Sequence, residues 1–194
     1  MTPARRVVGA LSLVLLVLGI AAVSYARWSR AIDEGDAALA RGDAEAALVA
    51  YAAAADRFDA HPLLRQIFAR DYARVAGARL AIQYRLQRYD GVLADAERAP
   101  AAAAPHFWAG LALFAKSRSD ERPEDQNAAL MRAEDELRQA VEASPADWDA
   151  KYNFELVTRL AAALRKQPHT PPDGLMQLLR PQPRAGTKPP RRVG

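Results

Sequence analysis

Between Arg6 and Arg27 stand twenty residues, Val7 to Ala26, without one formal charge. An α-helix rises about 1.5 Å per residue, so a helical run of this length spans roughly 30 Å, the thickness of a bilayer's hydrocarbon core. A helix satisfies its own backbone hydrogen bonds in lipid, and the run holds nothing costlier than Ser12 and Ser24, whose hydroxyls can bond back to the preceding turn. Tyr25 and Trp28 fall where amphipathic rings favour the membrane–water boundary. The stretch therefore reads as a single-span anchor occupying residues 1–30.

A cleaved export signal is the competing reading, with Arg5 and Arg6 as its basic start and Ser24-Tyr25-Ala26 as a small-x-small cleavage site. The apolar run exceeds the usual signal core of about 7–15 residues, which favours an uncleaved anchor. Two arginines precede the span and two follow it closely, so basic-residue asymmetry barely sets the orientation. A short N-terminal tail before a large C-terminal body favours the N-terminus inside and the remainder in the periplasm of a bacterial cell, with the span in the inner membrane.

The charge of +4 is unevenly spread. Residues 27–166 carry 20 bases against 22 acids, whereas residues 167–194 carry Arg180, Arg184, Lys188, Arg191 and Arg192 against Asp173 alone. A near-neutral body of mixed sign is not the footprint of a nucleic-acid binder. There is no cysteine, which excludes disulfides and thiolate metal sites. His61, His106 and His169 are far apart, and surface histidine is the plainer reading of each over metal ligand.

Beyond the anchor nothing reads as a strand. Ala31–Ala40 and Ala44–Arg57 are Ala-rich helical runs broken at Arg41-Gly42-Asp43, where Gly42 suits a left-handed helix end and Asp43 a cap. Gly35, Ala47 and Ala54 leave no room for bulk, as a close crossing of two antiparallel helices requires. That spacing resembles the tetratricopeptide repeat, a helix–turn–helix unit of about 34 residues. The resemblance implies a short, irregular array of such hairpins over residues 31–166. A long helix from Leu63 to Gln87 carries Ala81 at the next small position, with Gly77 marking a close contact or a bend. Pro105–Ala115 carries Gly110 at the third. Lys116–Gln126 is strongly polar and is expected to loop outward. Ala133, Ala140 and Pro145 then reproduce the repeat spacing, and Trp148–Lys166 is expected to close the array as a lid, although Glu155 departs from its small position. Residues 167–194 hold seven of the thirteen prolines and read as a disordered basic tail, in which only Asp173–Leu179 is apolar.

No phosphate loop, Gly-x-Ser-x-Gly, His-Glu-x-x-His or calcium loop is present, so the expectation is a non-enzyme without cofactor. Asp120, Glu121, Glu124 and Asp125 lie among arginines and read as a solvated loop before a calcium site. Such repeats bind partners in a concave groove. Carrying the groove positions over implies Ile82, Arg85, Phe107, Leu111, Phe114, Tyr152 and Arg159 as partner-facing. Phe107, Leu111 and Phe114 make one helical stripe, for which core is the plainer reading. Arg85 and Arg159 suit a carboxylate-bearing partner.

The segment Asp149-Ala150-Lys151-Tyr152-Asn153-Phe154-Glu155 resembles the D-A-K-Y-N-L-E signature of membrane-anchored tetratricopeptide proteins. Those proteins are linked in bacterial gene clusters to MoxR-type ATPases and von Willebrand A-domain proteins. Within that group the chain is most similar to the small K-type members of methanol-oxidation clusters. The resemblance implies an assembly scaffold for an exported enzyme, with protein partners from such a cluster, and points to maturation and calcium loading of methanol dehydrogenase. A chaperone-like module beside the export machinery is the alternative.

Overall fold

The computed structural model describes residues 3–119 and 122–166, with side chains described for only part of the first helix. Among these residues there are α-helices, one 3₁₀ turn and no strand. The helices are α1 (Pro3–Ala40), α2 (Ala44–Ala60), α3 (Pro62–Ile67), α4 (Ala69–Arg85), α5 (Tyr89–Ala96), α6 (Pro105–Ser119), α7 (Pro123–Ala143) and α8 (Trp148–Lys166), with the 3₁₀ turn at Ala101–Ala103. The all-α expectation holds. The expectations for Trp28, for Asp120 and Glu121, and for the tail with His169 and Asp173–Leu179 concern side chains or segments outside the described residues.

The chain packs as two units, Met1–Ala112 and Leu113–Gly194. In the first, α1 packs on α2, α2 on α4, and α4 on both α5 and the 3₁₀ turn. The α1–α2 turn follows its local chemistry. Gly42 adopts φ +78°, a left-handed value that a side chain would strain, and Asp43 accepts the Ala46 N–H at 3.0 Å to cap α2. Ile32 and Ala38 of α1 meet Ala47, Tyr51, Ala54 and Phe58 of α2 in a core that Val75 and Ile82 of α4 complete. Another face of α4 presents Leu80 to a second cluster with Val92, Ala103 and Ala112, flanked by Tyr84, Tyr89 and Trp108. Apolar stripes on two faces make α4 the central element of this unit.

The second unit rests on the α7–α8 hairpin. Leu130, Ala133, Leu137 and Ala140 recur at helical spacing on α7 and are buried, as are Ala150, Val157, Leu160 and Ala161 on α8. Asp147 caps α8 by accepting the N–H groups of Asp149 and Ala150, and the Arg165–Glu134 pair ties the two helices.

Two element expectations are corrected. The expected helix from Leu63 to Gln87 breaks at Phe68, whose φ −112° and ψ 42° leave the helical region while its N–H still reaches the Leu64 carbonyl at 2.8 Å. The break lets Leu64, Phe68 and Tyr72 all pack on the first core. Nor do the described parts of the polar stretch, 116–119 and 123–126, form an outward loop; they are helical. Helix α6 runs on to Ser119 and α7 starts at Pro123, a residue suited to the first helical turn. Ser117 is fully buried because its hydroxyl donates to the Phe114 carbonyl at 2.8 Å, so its burial leaves no donor unsatisfied.

Among the described residues no helix is long and apolar enough to cross a membrane. Residues 7–26 lie within the unbroken α1, and much of that stretch has side chains outside the described set.

Candidate functional site

The small residues of the α1–α2 crossing meet a single ring. A methyl group built on Gly35 would stand 2.8 Å from Tyr51 Cε1, so glycine is required for the ring to lie there. Ala47 and Ala54 are buried one turn to either side of Tyr51. The Tyr51 hydroxyl donates to Asp36, which also accepts Arg74 Nη1 at 2.6 Å. Burial first, and then the neighbouring carboxylate, push the Tyr51 hydroxyl well above the usual phenol range. Burial opposes ionisation of Asp36, but the hydrogen bonds from Tyr51 and Arg74 outweigh it and hold the carboxyl below its ordinary value. The group joins α1, α2 and α4.

A cavity of about 390 Å³ lies in the same unit, between α2, α4 and the end of α5. Its walls carry Asp56, Asp59 and Asp95 against Arg65, Arg79 and Arg98, with Tyr72 at one side. Most of these charges are already paired. Asp95 accepts Arg79 at 2.8 Å and Gln83 Nε2, with Arg98 at 3.7 Å, while Arg65 pairs with Asp59 and lies 5.4 Å over the Tyr72 ring. Arg79 Nε is buried without a hydrogen-bond partner, a spare donor beside the network. The walls are of balanced charge, three carboxylates against three guanidinium groups, and offer hydrogen bonding to a polar group.

The expected groove residues divide between the units. In the first, Ile82 is corrected: it is 2 % exposed and belongs to the core, because the Val75–Ile82 stripe faces α2. Arg85 is exposed at the last turn of α4. Phe107 and Leu111 are half-buried, with Phe107 ending a run of ring contacts from Tyr89 through Tyr84 and Trp108. In the second unit Phe114 is half-buried, Tyr152 is 69 % exposed, and exposed Arg159 pairs with Glu155 on its own helix. Trp148 is a residue the sequence reasoning passed over. It is 78 % exposed one turn before Tyr152, with Lys151 Nζ 4.9 Å from its ring. The aromatic pair at i and i+4 was the available signal.

The remaining packing positions are simply placed. Gly110, Ala133 and Ala140 are buried, Ala81 is half-buried, and Pro145 is exposed between α7 and α8. Among the described residues no three histidines or carboxylates converge on a metal position, and Asp125 pairs with Arg122 at 2.5 Å. In comparisons with known proteins, the chain matches no family model, no curated protein and no solved structure.

Proposed function

We propose that this chain is a non-enzymatic, membrane-anchored adaptor: residues 7–26 span the bacterial inner membrane, and a tetratricopeptide-like helical body in the periplasm holds protein partners. The carrying observation is the state of α1. Its described large apolar side chains from Leu13 to Tyr25 are 49–62 % exposed, and at 100° per residue Leu13, Leu15, Leu16 and Leu18 point to different sides. A helix apolar all round needs an apolar surrounding, and the described side chains from Leu13 to Val23 lie 57–62 % exposed. The charge-free run ends at Ala26, and past Arg27 and Arg30 the same helix enters a packed core at Ala31 and Ile32.

The tetratricopeptide-like reading is supported by Gly35, Ala47 and Ala54 at one close crossing. Binding is favoured over chemistry by surfaces such as Trp148–Tyr152 and by the paired charges of the cavity. Holding a partner at the membrane raises its local concentration without any new bond. The finer role, assembly of an exported enzyme such as a calcium-dependent methanol dehydrogenase, rests on the Asp149–Glu155 signature. Capture with the full-length chain from detergent-solubilised membranes tests it. A few stoichiometric partners, lost on Trp148→Ala with Tyr152→Ala, are expected; capture unchanged by the pair would remove α8 as the binding face.

A further inference from the structure

Helix α3 is a short break between two long helices, yet it exposes two large aliphatic side chains. Leu63 is 72 % exposed and Ile67 70 % exposed, and they stand at i and i+4 on one face. Leu64 and Phe68 turn the other way into the core of α1, α2 and α4. The pair therefore faces outward.

Its height along α1 follows from two contacts. Tyr51 of α2 meets Gly35, and α2 runs back antiparallel to α1, so Phe58, seven residues on, returns about 10 Å toward the anchor. Past Phe58 the chain turns at His61 into α3, and Phe68 at its end lies with its ring centroid 5.6 Å from that of Tyr25. Tyr25 is the penultimate residue of the charge-free run, where a span leaves the hydrocarbon. Leu63 and Ile67 therefore sit at the level of the bilayer surface, and Arg70 follows exposed in the first turn of α4.

We propose that the Leu63–Ile67 face of α3 inserts into the headgroup–acyl boundary as a second membrane contact. It rests on the anchor reading of residues 7–26. One span alone leaves the body free to swivel about its axis; a second apolar contact beside it fixes which side faces the lipid. The occupant is the bilayer, since the Phe68–Tyr25 contact sets the end of α3, and with it this exposed face, beside the boundary end of the anchor.

The absence of cysteine permits single labels in the full-length chain. Nitroxides on Leu63→Cys, Ile67→Cys, Leu16→Cys and Val49→Cys are compared in vesicles of phosphatidylethanolamine and phosphatidylglycerol. Val49 is as exposed as Ile67 but lies beside Tyr51, at the level of Gly35 and away from the surface. Labels at 16, 63 and 67 are expected to collide more with oxygen than with a water-soluble nickel chelate, and the label at 49 the reverse. A lipid-exposed label at 16 with aqueous labels at 63 and 67 overturns the second contact and leaves the anchor standing. An aqueous label at 16 overturns both. Spin–spin broadening at 63 or 67, with shielding from both reagents, assigns the face to a second copy and overturns the proposal.

Discussion

Tyr51 fills the space that Gly35 vacates, and its hydroxyl completes the bond to Asp36 that also engages Arg74. Gly35→Ala should therefore cost about 1–3 kcal/mol in urea unfolding, because the buried ring cannot retreat. Gly77 is the contrasting case. A methyl there would meet Ala103 at 3.6 Å or more, ordinary contact, so Gly77→Ala should stabilise by roughly 0.5–1 kcal/mol through the helical preference of alanine. The pH dependence follows from the raised Tyr51 hydroxyl. In the unfolded chain it ionises near pH 10, in the folded chain only well above that, so native protein holds the extra proton and stability falls as pH rises past about 10. Tyr51→Phe should flatten that alkaline limb of a melting-temperature profile. An unchanged limb would remove the buried phenol as its cause. The lowered Asp36 carboxyl works oppositely, giving stability that is present above about pH 3.8 and lost as pH falls below it.

At the scale of elements, close crossings and charge networks hold the helices together. Asp95 gathers Arg79 and Gln83, and the Gln83 side chain lies over Gly91 of α5 so closely that a Cβ there would have to displace its amide oxygen. Asp95→Ala should cost about 1–3 kcal/mol by leaving these donors unpaired, read as a lowered unfolding midpoint. Ala140→Leu should overpack the α7–α8 crossing and cost about 1–3 kcal/mol, whereas the same change at exposed Ala143 should not. The spacing of Gly35, Ala47 and Ala54 was legible because small residues at helical period have few other uses. The kink at Phe68 was not, since it arises from three side chains seeking one core. The helical path of residues 116–119 was hidden by polarity, because Ser117 satisfies itself within its own turn. Ile82 misled for a related reason. Repeat register places a residue on a helix, while the neighbouring stripe decides which face is buried.

For the whole molecule, the candidate binding surfaces were only partly legible. Arg85, Tyr152 and Arg159 are exposed, but the charged cavity assembles residues from 55 to 99 that no spacing connects. Trp148 was in plain sight, and exposure rather than identity marks it out. On the proposed reading residues 7–26 hold the chain in a bilayer. Arg substitution at both Leu15 and Leu18 should abolish that hold, since each charge near the centre of a span costs about 2.5–3.5 kcal/mol on insertion scales. The most direct measurement is the fate of the unmodified full-length chain when membranes are washed with alkaline carbonate. Retention in the membrane pellet is the predicted result; release into the supernatant would contradict the anchor and the adaptor built on it.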